Sequence, residues 1–209
     1  MKALRFLIIW LFVLPFGLHA QMVNNGAQIT VTSETTVSGL PDFNNSGSIT
    51  NEGKLELIGS FMSTATYNGS GEIELLAASQ SLDINDTISV LTLSGSGNHT
   101  LGSSLLVSEE VVFNNSKLLT NDMLALGDAV TVTNPSSSGY LIGSLTIYGE
   151  SDQQFPIGTE TAYLPVNLTS ISGSDLTVSI TPYSADPSGV AGYGLLSVAN
   201  DKFWTLSTS

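Results

Sequence analysis

Hydrolytic or metal chemistry in this chain would have to be assembled from very few side-chain types. The sequence holds two histidines and no cysteine, and only His99 lies beyond the first twenty residues. A Ser–His–Asp relay would need that imidazole, yet no Gly-x-Ser-x-Gly turn presents a serine to it. His99 sits in Gly97-Asn98-His99-Thr100 and reads as a solvated turn residue. One His without Cys cannot form a zinc site of the usual nitrogen and sulfur ligands.

Carboxylates are plentiful, with eighteen Asp and Glu. Glycoside cleavage needs an acid and a base or nucleophile a few ångströms apart, and Glu72/Glu74, Asp83/Asp86 and Glu109/Glu110 are the candidate pairs. Glu72 and Glu74 flank Ile73, so they are expected to face solvent from one strand, and Glu109-Glu110 reads as a turn. Beyond residue 20 there is no Arg and one Trp, Trp204. A lyase acting on acidic polysaccharide would lack the basic groups that stabilise its carbanion. No catalytic, cofactor-binding or metal-binding residue is therefore assigned. Asp83-Ile84-Asn85-Asp86 and Asn121-Asp122 offer hard oxygen ligands. They suffice only for weak Ca2+ binding, because no EF-hand loop or Gly-Gly-x-Gly-x-Asp repeat is present.

The elements around these residues are read from the N-terminus. Lys2 and Arg5 precede an apolar run from Phe6 to Phe16, and Leu18-His19-Ala20 offers a small residue at a cut. That order is the signature of a secretory signal peptide over residues 1–20, and the run is short of the about 20 residues that span a bilayer. The mature chain is expected outside the cell, secreted or at the cell surface. It keeps Lys54, Lys117 and Lys202 against all eighteen carboxylates. Such a chain repels phosphates, so nucleic acid and anionic lipid are excluded as partners.

From about Gln28 to Ile147 short apolar alternations are separated by turns rich in Gly, Asn and Ser. Period-two alternation means strands with one buried face, and no apolar stripe of helical period follows residue 20. Pairs recur at 55/57, 73/75, 91/93, 111/113 and 130/132, with steps of 18 to 20 residues. A second series runs through Leu82, Leu101 and Leu118, and a third through Ile88, Leu105 and Leu124. Three interleaved series with one step describe a three-sided coil, so residues 21–149 are expected to form a right-handed parallel β-helix. The turns Asn24-Asn25-Gly26, Asn44 to Gly47, Asn68 to Gly71, Gly95 to Asn98 and Asn114 to Ser116 supply residues tolerant of left-handed backbone.

Near Gly149 the spacing is lost and Pro156, Pro165, Pro182 and Pro187 punctuate the chain. Residues 150–209 are expected to be a β-rich C-terminal unit, the start of a small β-sandwich. The chain stops on Ser207-Thr208-Ser209 directly after an apolar strand, so this unit is expected to be incomplete.

Gln154-Phe155-Pro156-Ile157-Gly158-Thr159 followed by Tyr163-Leu164-Pro165-Val166-Asn167-Leu168 resembles a block of large secreted proteins of the Bacteroidetes type. In those, β-helical repeats lead into an FPIG…YxPVxL segment and then a Trp-bearing strand, here Phe203-Trp204-Thr205-Leu206. The resemblance implies an adhesin-like or structural surface protein exported by a type IX route. It also implies O-glycosylation at Thr87, within Asp86-Thr87-Ile88. The expected function is thus a non-catalytic extracellular adhesin whose partners are surface glycans or host and cell-surface proteins. The alternative is a secreted polysaccharide-active β-helix, a lyase or glycosidase.

Overall fold

The structure is a computed structural model that describes residues 20–149, 152–169, 177–183 and 203–208. The expected signal peptide falls almost wholly on residues 1–19, outside the described residues.

Every described element is a strand, and the strands wind into a β-solenoid of about seven turns. The first face carries eight parallel strands: Gln21–Asn24, Asp42–Asn45, Phe61–Ser63, Ser81–Ile84, Gly97–Leu101, Ser116–Leu119, Leu141–Ile142 and Ile157–Gly158. The second begins with Ile29–Val31, Ile49–Asn51 and Tyr67–Asn68. The third begins with Thr36–Leu40, Lys54–Leu57 and Glu72–Leu75. The second and third faces then merge in two long strands, Asp86–Leu93 and Leu105–Phe113, with a register shift between Ile88 and Val90 marking the flattened corner. Leu124–Leu126 and Thr131–Thr133 separate the two faces again, pairing with the two halves of Leu105–Phe113.

Alternation produces this core. In a strand every second side chain shares a face, and parallel stacking sets each inward residue over its equivalent at roughly 4.8 Å. Leu55, Ile73, Leu91 and Val111 form one such column, and Leu57, Leu75, Leu93 and Phe113 another; all are buried. On the first face Phe43 and Phe61 stack with ring centroids 4.9 Å apart.

Three expected columns are displaced. Val132, not Val130, pairs with Val111. Leu82 pairs with Leu101 as expected, but Leu118 lies on His99. Leu105 pairs with Leu124, whereas Ile88 pairs with Val107. Each displacement is two residues. A two-residue slip keeps the same side chains inward, so alternation alone cannot distinguish the registers.

The composition change near Gly149 does not end the stack. Leu141 and Ile142 pair in parallel with Ile157 and Gly158, which places the Phe155-Pro156-Ile157-Gly158 stretch on the last rung of the first face. A Cβ on Gly158 would lie 2.2 Å from the Ala162 carbonyl oxygen and 2.6 Å from the Tyr140 ring, so only glycine fits there. The expected C-terminal unit takes the form of antiparallel additions. Thr177–Tyr183 pairs antiparallel with Leu145–Tyr148, and Phe203–Thr208 extends the same sheet.

Candidate functional site

The carboxylates proposed from sequence go to three different surroundings. Glu74 is 8 % exposed rather than solvated. Its neighbours on the outer side of the third face explain this: Lys54 lies against it, and the Ser94 hydroxyl donates to Glu74 Oε1. The Lys54 ammonium also pairs with Glu56 at 3.6 Å and Glu72 at 3.4 Å. Burial pulls the Lys54 pKa down, but the hydrogen bond that its ammonium donates to Glu74 and the charges of Glu72 and Glu74 outweigh it and leave the pKa raised. A cation therefore sits permanently among these acids. Glu109 and Glu110 lie within the strand Leu105–Phe113 rather than in a turn, and Glu110 accepts a hydrogen bond from Thr133 Oγ1 at 2.6 Å. The strand runs through the expected turn because Val107, Val111 and Phe113 on either side of it all reach the core.

Asp86 holds a corner. Its Oδ2 accepts the Tyr67 N–H at 3.0 Å and its Oδ1 the Thr87 N–H at 2.9 Å. Among the described residues no group of three or more His, Asp or Glu side chains is arranged to hold a metal ion.

His99 is fully buried in the strand Gly97–Leu101, not a solvated turn residue. Leu101 is inward on that strand, and period two carries His99 inward with it. Nδ1 accepts the Gln80 N–H at 3.3 Å, and Nε2 lies 3.0 Å from the Ser94 carbonyl oxygen. This pairing selects the neutral tautomer protonated on Nε2. Burial pushes the imidazole below its ordinary value, and the bond to Ser94 opposes this in part.

Several turn asparagines are likewise inward. Asn24 Nδ2 donates to Asn45 Oδ1 at 2.7 Å, and Asn45 Nδ2 donates to Ser63 Oγ at 2.9 Å, all three residues being buried. Asn51 Nδ2 donates to the Tyr67 hydroxyl at 2.9 Å. Left-handed backbone falls within the expected turns at Gly26, Gly69, Gly95, Gly97 and Asn115.

A concave surface with both apolar and polar lining lies on the outside of the solenoid, along the second face and its corner with the first. A groove of about 360 Å³ is floored by Leu106 and Ala125 and closed at one end by Thr146 and Tyr148. Asn85, Ser104 and Asp122 stand along its rim. The floor follows from register: Thr87, Leu106, Ala125 and Thr146 are successive outward positions on paired strands. Thr87, exposed and awaiting a sugar on the sequence reading, heads this column. Asp122 is set on the rim by a tight turn in which Met123 N–H bonds the Thr120 carbonyl at 2.9 Å, with φ of 50° at Asn121 and 60° at Asp122. Two successive positive φ values define a type I′ turn, for which Asn and Asp are suited.

No family model, no curated protein and no solved structure matches this chain.

Sequence reasoning missed the groove because Leu106 and Tyr148 are outward apolar residues at positions where alternation predicts polar ones. That mismatch was itself the available signal, since an isolated outward Leu beside an outward Tyr departs from the pattern.

Proposed function

We propose that this chain is a non-catalytic, adhesin-like extracellular protein, exported by its N-terminal leader and displayed at a cell surface as an acidic β-solenoid. The observation that carries the reading is the employment of its reactive side chains. His99 is committed to Gln80 and Ser94, Glu74 to Lys54 and Ser94, and Asp86 to two backbone N–H groups. Groups that could run acid–base chemistry are thus holding rungs together, and what remains outward is hydroxyl, amide and carboxylate. The resemblance of the Gln154–Leu168 stretch to Bacteroidetes-type surface proteins points the same way, with type IX export as the route. Thr87 is exposed on the outer side of its strand, which suits O-glycan attachment there.

Proteinase K applied to intact cells that make the full chain is expected to remove it, and its intact mass is expected to exceed the polypeptide's by sugar that Thr87→Ala removes. Survival of the protein until the cells are lysed would overturn surface display. A mass equal to that of the bare polypeptide would overturn the role of Thr87.

A further inference from the structure

We infer that the groove on the second face binds a linear, uncharged polysaccharide lying parallel to the solenoid axis; this builds on the non-catalytic reading and adds a ligand class to it.

Continuity comes first. The groove does not end at Asp86, because two further hollows of about 510 and 280 Å³ continue from it over the corner and onto the first face. The larger shares Asn85 and Asp86 with the groove and adds Thr64 and Thr66. The smaller shares Asp83 with the larger and reaches back to Asp42. Together they run past nearly every turn of the coil. Because successive turns are roughly 4.8 Å apart, polar groups recur along the channel at a fixed interval: Asn85, Ser104 and Asp122 stand on three consecutive turns. A periodic row of acceptors matches a ligand that is itself periodic.

The lining selects the chemistry. Leu106 and Ala125 give a half-buried apolar floor, and Tyr148 presents a ring that is 47 % exposed. A pyranose offers apolar C–H faces to such surfaces and hydroxyl donors around its edge. Carboxylates and amide oxygens accept those donors. Among the described residues no Lys or Arg lines any of the three hollows, so uronates, sulfates and phosphates would meet repulsion from the carboxylates there. A peptide joining as an extra strand is disfavoured, since that mode needs an open sheet edge. Here residues 105–107 are paired on both sides, with 86–88 and 124–126. The floor is set on strands, so the channel is preformed and little ordering opposes binding.

Affinity electrophoresis of the full chain tests this, with gels containing mixed-linkage β-glucan, xyloglucan, galactomannan or polygalacturonate. Retardation is expected in at least one of the neutral polymers and not in polygalacturonate. Tyr148→Ala should weaken the dissociation constant at least tenfold and Asp122→Asn severalfold, with unchanged thermal melting in both. Absence of retardation in all three neutral polymers, equal retardation of the Tyr148→Ala variant, or retardation by polygalacturonate would each overturn the inference. Retardation abolished by 0.15 M salt would do the same, because it would mean a charge-driven partner such as a basic peptide. New reducing ends or unsaturated products from a bound neutral polymer would uphold the groove and overturn the non-catalytic reading alone.

Discussion

His99 is an ionisable side chain used as a packing element. It occupies the place of an inward aliphatic residue beneath Leu118, and both nitrogens are satisfied by backbone groups only in the neutral state. Its folded pKa lies below the ordinary value of 6.5. The unfolded chain therefore takes up a proton first as pH falls, and this contribution to stability is complete above pH 6.5 and is lost below it. Denaturant unfolding from pH 7.5 to 5 should show stability declining with acidity. In His99→Leu that decline should be shallower, while stability at pH 7.5 drops by about 1–3 kcal/mol because the Gln80 N–H loses its acceptor and the Ser94 carbonyl keeps only the Ser116 hydroxyl. Identical pH slopes for the parent and variant would refute the assignment.

At the scale of the strand and its corners, the inward polar residues set where each face stops. Asn45 bonds to Asn24 on the turn before, to Ser63 on the turn after, and to the Gly47 carbonyl within its own corner. Asn45→Ala should cost about 1–3 kcal/mol in urea unfolding by leaving buried amide groups unpaired; a loss under about 0.5 kcal/mol, the range of neutral surface changes, would show that the ladder is dispensable. How far these elements were legible follows from the same residues. Strand positions, the three-sided coil and the columns through 55, 73, 91 and 111 could be read directly, since alternation and a near-constant step are properties of sequence. Asn45 and His99 were misread as turn residues because polarity was weighed above parity, although Phe43 and Leu101, each two positions away, face inward. The two-residue slips at Val132, Leu118 and Ile88 left no trace in the pattern. Of the groove, the outward Leu106 and Tyr148 were legible as departures from alternation, but that they and Asp122 line one hollow depends on exact register between successive turns.

In the described solenoid each rung's strands pair with those of the rung before and the rung after, so stability is close to a sum of neighbouring interfaces. Leu93 is wholly buried between Leu75 and Phe113. Leu93→Asp places an unpaired carboxylate there, at a cost of about 3–5 kcal/mol. Hydrogen exchange in this variant should lose amide protection over residues 72–113, while Asp42–Asn45 and its pair Phe61–Ser63 keep most of theirs. Uniform loss along the chain would mean that the solenoid unfolds as one cooperative unit.

The near-constant step of 17 to 21 residues between paired positions on the third face has a kinetic consequence. A polypeptide threading through a narrow pore N-terminus first completes a docking site for its next segment after every twenty or so residues, with no need to wait for distant sequence. Each newly wound layer then resists backsliding, so winding itself acts as a ratchet that draws the remainder of the chain through.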